Sequence, residues 1–242
     1  MFELRYTVAI VTGAGRGNGN AIARGLCQAG AIVQGVDRAF PTEDPFTQIT
    51  GDVTDRETID SVRDRLALIE FNHLVLVNNA GVTYPNEGPY LEESWRRTLE
   101  INLTAPFLWI EAFADLFRAT KSGSIINMTS LSAERAFPNN PAYTASKGGL
   151  KMLGKHYAKT FGADGVRVNN VGPGYLVTDM TRESYDNPEI REARARHTFP
   201  GRWGVPEDLV GLCVFLAGPA SSYITGQDIY VDGGWTANGL LL

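Results

Sequence analysis

Tyr143 and Lys147 stand four residues apart as Tyr-x-x-x-Lys. On an α-helix that spacing puts both side chains on one face. A phenol ordinarily ionises near pH 10, and an ammonium beside it favours the phenolate. Such a pair could exchange a proton with an alcohol oxygen; the plain alternative is a surface aromatic–lysine contact. Lys147 also opens a run at Lys147, Lys151, Lys155 and Lys159, which reads as a solvated stripe that drifts around one helix. A second stretch is Thr12-Gly13-Ala14-Gly15-Arg16-Gly17-Asn18-Gly19. A glycine-rich turn between a strand and a helix lets backbone approach a pyrophosphate, and the helix N-terminus adds N–H donors and a positive dipole end. Its spacing is G-x-x-x-G-x-G, since Asn18 breaks G-x-G-x-x-G, and a plain tight turn is the alternative. Asp37 lies 20 residues after Gly17. A carboxylate there could accept both hydroxyls of an adenosine ribose and would repel a 2′-phosphate, which favours NAD over NADP. Arg38 complicates this, because it could pair with that phosphate or stack on adenine. Asp37 could equally be a strand-end turn residue.

These groups need a frame, and the chain alternates short apolar runs with helix-length amphipathic stretches. The runs are Tyr6–Thr12, Ala31–Asp37, about 46–50, His73–Asn78, Ser124–Met128, Val166–Val171 and Asp228–Val231. Several are rich in Val and Ile and bounded by Gly or Asn, as strands buried on both faces of a parallel sheet read. Between them, 19–29, 55–70, 92–118, 141–161 and 206–217 have helical periodicity. The repetition predicts an α/β fold, a doubly wound parallel sheet with right-handed crossovers and flanking helices. No linker, repeat or low-complexity tract interrupts it, so residues 1–242 are expected to form one domain. In the 141–161 helix, Asn140 is expected to cap the first turn, Pro141 suits the first helical position, and Gly162 is expected to end it in a left-handed cap.

Composition excludes several classes. The 242 residues carry 22 Lys and Arg against 27 Asp and Glu, a formal net charge of −5, so nucleic acid is not the expected partner. Hydrophobic residues make up 43% and charged residues 20%, which is ordinary for a globular chain and wrong for a disordered one. Cys27 and Cys213 are too few for a disulfide framework and point to a reducing compartment. No apolar run approaches the roughly 20 residues of a membrane helix, and MFELRY does not read as an export signal. The expectation is a cytoplasmic protein with no membrane partner and no metal site.

Further motifs follow in order. Asn78-Asn79-Ala80-Gly81 ends the fourth strand, Asn102 sits in Ile101-Asn102-Leu103, and Ser130 follows Asn127-Met128-Thr129. Tyr143 and Lys147 come next, then Pro173-Gly174 and Thr178 after the sixth strand. In order and spacing this set resembles the classical short-chain dehydrogenase/reductase family over nearly the whole chain. The resemblance implies a Rossmann-like domain and an NAD(H)-dependent oxidoreductase interconverting a secondary alcohol and a ketone. Tyr143 would exchange the proton, Ser130 would hold the substrate oxygen, and Lys147 would assist the phenol and bind the nicotinamide ribose. Asn102 would anchor a water that relays protons to Lys147; a helix-interior amide bonded to backbone is the alternative. Gly13, Arg16, Gly17, Asn18 and Gly19, with Asp37 and Arg38, are the phosphate and ribose candidates. Asp52 and Val53 would flank the adenine, and Asn79, Ala80 and Gly81 would line the adenosine ribose. Pro173, Gly174, Leu176 and Thr178 would cover the nicotinamide. The resemblance also implies a homotetramer built through 92–118 and 141–161. The apolar tail Gly239-Leu240-Leu241-Leu242 would suit an interface.

The chain departs from the family at Asn18, where an apolar residue is usual. It departs again between Asp37 and Asp52, where the connection is short, includes Pro41 and Pro45, and is expected to be irregular. The segment at about 178–205 reads as a substrate lid. Ser132, Glu134, Arg135 and Asn139 suggest a hydroxylated or carboxylated substrate, with solvated loop residues as the alternative. Gly201-Arg202-Trp203-Gly204 and Asp232-Gly233-Gly234-Trp235 resemble family members acting on sugars, sugar acids and polyols. Cyclic-diol dehydrogenases and 3-oxoacyl reductases share the catalytic set. A regulatory NAD-binding protein without chemistry is the alternative of another class, and the complete set of Asn102, Ser130, Tyr143 and Lys147 argues against it.

Overall fold

A computed structural model describes residues 2–239; the apolar residues 240–242 lie outside them. Seven strands form one parallel sheet in the order β3-β2-β1-β4-β5-β6-β7. They are β1 Thr7–Thr12, β2 Ile32–Asp37, β3 Thr47–Thr50, β4 His73–Asn78, β5 Gly123–Met128, β6 Val166–Pro173 and β7 Asp228–Val231. Alternate side chains of each strand feed two apolar layers. Ala9, Val11, Val75 and Val77 pack under α1 (Gly17–Gln28) and α9 (Val210–Ala217). Val8, Ile10, Leu74, Leu76 and Ile125 pack on the other face, under α2 (Arg56–Leu66), α4 (Ala105–Ala112), α5 (Ala114–Thr120) and α6 (Pro141–Phe161). The expected doubly wound sheet is therefore present. Among the described residues no helix is long and apolar enough to cross a membrane.

Three local expectations fail for identifiable reasons. The 92–118 stretch is not one helix. It divides into α3 (Glu92–Leu99), a π-helical turn at Glu100–Thr104, then α4 and α5, with a break at Phe113. Gly162 is right-handed at φ −58°, and a further 3₁₀ turn carries the chain to Gly165, which supplies the left-handed conformation at φ +72°. Asn140 makes no side-chain cap, because its amide is drawn across the cleft to donate to the Thr83 hydroxyl.

The short link from Asp37 to Asp52 is irregular, as expected, with no helix between β2 and β3. Asp44 organises it. Its carboxylate accepts from Asn20 Nδ2 at 2.9 Å and from Arg24 Nη1 at 2.6 Å, so the loop is tied to α1. A row of polar side chains crosses the other half of the sheet. Asn78 donates to Asn127 at 2.9 Å, Asn127 to Asn170 at 3.2 Å, and Asn170 to Asp228 at 2.8 Å. These four residues are directly paired in the registers of β4 to β7.

Candidate active site

The carboxyl ends of the strands border a cleft of about 680 Å³. Its wall includes Gly13, Arg16, Gly17, Asn18, Gly19, Asp37, Arg38, Asp52, Val53, Asn79, Ala80, Gly81 and Thr178, all expected from the sequence. Helix α1 begins at Gly17 with no side-chain cap, so its first N–H groups are left for a ligand. Gly17 has φ +55°, which a side chain would strain. A Cβ on Gly19 would lie 2.0 Å from the Gly13 carbonyl oxygen, so the loop closes on itself only with glycine there. Gly19→Ala must displace backbone, at a cost of about 1–3 kcal/mol. Thermal melting is expected to fall by several degrees and dinucleotide affinity, read by titration, at least tenfold. An unshifted melt with unchanged affinity would show a loop that relaxes freely.

Asp37 is already part of this cradle. Its Oδ2 accepts from the Gly15 N–H at 2.9 Å and its Oδ1 from the Arg38 N–H at 2.7 Å, which fixes the carboxylate at the rim with lone pairs to spare. Asp52 accepts from the Thr54 N–H and hydroxyl and from Arg97 Nη2 at 3.0 Å. Those bonds outweigh partial burial and hold its carboxyl below the usual range. Arg97, on α3, lines the cleft with Thr83, Tyr84, Pro85 and Met180, none of them among the cofactor-binding candidates read from the sequence. Asn79 donates to the carbonyls of Thr12 and Gly13 and clamps the glycine loop to β4. Arg16 reaches Asp179 at 3.3 Å, an exposed pair of little energetic weight. Pro173, Gly174 and Leu176 lie outside this wall, and the Leu176 side chain is buried in the layer under α1 and α9.

Deeper in, α6 carries Tyr143 and Lys147 on one face, with the Lys147 Nζ 5.6 Å from the Tyr143 ring centre. The lysine stripe expected to be solvated is so only toward its end, at exposed Lys159. Lys147 is buried, while Lys151 pairs with Glu134 and Lys155 with Asp228. Lys147 donates to the Met128 carbonyl at 2.8 Å, and burial pushes its ammonium down to about 8. Burial pushes the Tyr143 phenol up, opposed by a hydrogen bond with Ser130. The protein's own groups therefore do not lower this phenol as the Tyr–Lys spacing suggests. Ser130 lies two residues past β5 in extended backbone and accepts the Ser132 N–H at 3.1 Å, which leaves its O–H to donate beside the Tyr143 phenol.

Asn102 sits inside the π-helical turn, a local widening frequent at functional sites. Its Oδ1 accepts from the Val82 N–H at 2.8 Å; its Nδ2 donates to the Val82 carbonyl at 3.0 Å and to Ser146 Oγ at 3.2 Å. The amide thus locks the segment after β4 against α6. A Cβ on Gly81 would lie 3.4 Å from Asn102 Oδ1 and 3.5 Å from Lys147 Nζ, so all three residues meet at one point.

The Asn18 side-chain oxygen is buried without a hydrogen-bond partner among the described residues, on the cleft wall. An orphaned acceptor calls for a ligand N–H or O–H, and the uncapped helix N-terminus beside it suits an anionic group such as a phosphate.

A family model described as enoyl-(acyl carrier protein) reductase matches residues 13–236. The chain is 36% identical over 249 residues to the 2-dehydro-3-deoxy-D-gluconate 5-dehydrogenase of Escherichia coli (strain K12), covering 98% of each. It is 33% identical over 250 residues to the galactitol 2-dehydrogenase (L-tagatose-forming) of Cereibacter sphaeroides, covering 98% of this chain and 97% of that one. Among solved structures, a gluconate 5-dehydrogenase from Burkholderia cenocepacia J2315 in complex with NADP and tartrate superposes with a TM-score of 0.89 at 30% identity, over 98% of this chain and 97% of that one. With its parallel sheet, glycine cradle and Tyr143–Lys147 pair, the chain belongs to the short-chain dehydrogenase/reductase family and is an NAD(P)-dependent oxidoreductase acting on secondary alcohol groups.

Proposed function

We propose that the protein interconverts a secondary alcohol and a ketone on a polyol, sugar or sugar acid, using NAD(H). The observation that carries this is the convergence of Tyr143, Ser130 and buried Lys147 behind the glycine-lined cleft, where Gly81 of its wall meets Lys147. The glycine loop holds the pyrophosphate on the N-terminus of α1. Asp37 accepts the ribose hydroxyls, Asp52 and Val53 flank the adenine, and Thr178 stands at the nicotinamide end with Pro173 and Gly174. A nicotinamide bound there supplies the hydride exchange and, when oxidised, a positive charge. Tyr143 takes the alcohol proton in oxidation and returns it to the alkoxide in reduction. Ser130 donates to the substrate oxygen. Lys147 holds the ribose, the charge of an oxidised nicotinamide would favour the phenolate, and Asn102 keeps the proton path beside Lys147 in place. The segment at about 178–205, which carries α7 (Arg182–Asp186) and α8 (Pro188–Arg196), closes over the substrate. Exposed Trp95, Phe107 and Met152 on α3, α4 and α6 support assembly into a tetramer through these helices.

A screen of polyols, sugar acids, cyclic diols and simple secondary alcohols with NAD or NADP, read by reduced-nicotinamide absorbance, tests this reading. Turnover with a polyol or sugar acid is expected; silence across the panel with dinucleotide still bound would leave a binding protein. NADP is the second reading, supported by the Burkholderia neighbour and by exposed Arg38 at the rim. Asp37 decides between them. Asp37→Asn is expected to lower the NAD-to-NADP ratio of kcat/KM by about 10- to 150-fold, the range for a hydrogen bond to a charged group. A wild-type preference for NADP would instead give Arg38 the deciding role.

A further inference from the structure

Helix α8 brings Arg194 over the aromatic wall beside the catalytic pair. Its guanidinium carbon lies 4.0 Å from the Tyr175 ring centre and 5.5 Å from that of Trp203. Tyr175 directly follows Gly174 and packs edge-on against Phe137 and Trp235, with ring centres at 6.2 and 4.9 Å. Phe137 belongs to the loop that joins Ser130 to Tyr143, so the Tyr175 ring spans from that loop to Arg194. The helix is held in place: Trp203 Nε1 donates to the Arg191 carbonyl at 2.9 Å, and Arg191 itself stacks on Tyr185.

Of the other charged groups near this wall, Arg191 also lacks a carboxylate partner and lies over the Tyr185 ring, while three are already engaged. Glu134 is held by Lys151 and Tyr230, Arg135 donates to the Thr236 carbonyl at 3.0 Å, and Arg202 pairs with Asp208 at 2.8 Å. The charged loop residues expected to meet substrate are thus tied into the scaffold. Among the described residues, Arg194 has neither a carboxylate partner nor a side-chain hydrogen bond. A guanidinium stacked on an aromatic face keeps its planar N–H fork free, and that fork matches a carboxylate bidentately.

We propose that Arg194 binds the carboxylate of the substrate, so that this site selects sugar acids over neutral polyols. The inference rests on the alcohol–ketone reading above and narrows its substrate class. D-gluconate and D-glucitol share a carbon skeleton and differ at one terminal carbon, carboxylate against hydroxymethyl, so their ratio isolates the charge. Arg194→Gln is expected to lower the gluconate-to-glucitol ratio of kcat/KM by about 10- to 150-fold, mainly through KM. Arg194→Lys, which keeps the charge and loses the fork, is expected to restore part of it. If both substrates weaken together and the ratio holds, Arg194 only supports the wall and the proposal fails. Titrating gluconate against tryptophan fluorescence gives a readout independent of turnover. Should no secondary alcohol be oxidised, the dehydrogenase reading falls and this titration alone judges Arg194. Wild-type protein is expected to bind gluconate more tightly than glucitol, and Arg194→Gln to lose that difference. Equal binding of the two by wild type, or no binding of gluconate, would overturn it.

Discussion

Tyr143→Phe is expected to leave dinucleotide affinity within a few-fold of wild type and to cut turnover by about 10²- to 10⁴-fold, the range for a positioned proton-transfer group. The substitution removes one oxygen and keeps the ring that packs beside Lys147 at 5.6 Å, so the helix and the cradle are undisturbed. Burial holds the wild-type phenol above its ordinary range. Its ionised fraction therefore grows through the alkaline range, and alcohol oxidation by the wild type should rise with pH there. In the phenylalanine variant that rise should vanish with the activity. Stopped assays of both proteins across the pH range, beside a dinucleotide titration, check this. Residual turnover within tenfold of wild type would take the proton step away from Tyr143.

Lys147→Met should separate stability from function. The ordinary lysine value is 10.5, and burial brings Lys147 down to about 8. Below pH 8 folded and unfolded chains both hold the proton, and the fold carries the whole cost of a buried ammonium. Between pH 8 and 10.5 the unfolded chain keeps a proton that the folded chain has released, so the Lys147 contribution to stability rises with pH. The full difference is roughly 3 kcal/mol. Methionine removes that cost and forfeits a charged donor's bond to the Met128 carbonyl, itself worth about 1.5–3 kcal/mol, so a net gain of up to about 1.5 kcal/mol at pH 7 is expected. The variant should melt a few degrees higher at pH 7 and lose its advantage toward pH 10, while turnover falls at least 100-fold. A variant that melts lower at pH 7 would mean that the buried ammonium stabilises the fold.

What the sequence made legible follows from where each signal is stored. The His73–Asn78 and Asp228–Val231 strands and the Pro141–Phe161 helix match their expected bounds residue for residue, because local pattern and tertiary burial agree there, although Asn140 and Gly162 do not cap the helix as their types suggest. The cleft residues from Gly13 to Gly19, with Asp37 and Asn79, were legible as types at fixed intervals. The π turn around Asn102 was not, since periodicity over 92–118 continues straight through it. Asp44, Arg97 and Arg194 were illegible for another reason. Each acts through a partner far away in the chain, or through the lack of one, and no local spacing encodes that. The lysines after Lys147 show the same limit, since helical spacing displays a stripe but not the Glu134 and Asp228 carboxylates waiting opposite it.

The amide row from Asn78 to Asp228 bears on how the chain finds its fold. Neighbouring parallel strands rich in Val and Ile could pair one residue out of step and still bury apolar surface, and backbone bonds alone do not distinguish the shifts. Because Asn78, Asn127, Asn170 and Asp228 face one another across three successive pairings, a slip at any one turns a polar side chain into the apolar layer. Each amide stranded that way costs about 1–3 kcal/mol. The row thus proofreads strand alignment in the half of the sheet that must bring Ser130 and Tyr143 together, and mis-stepped intermediates are penalised before the active site has formed.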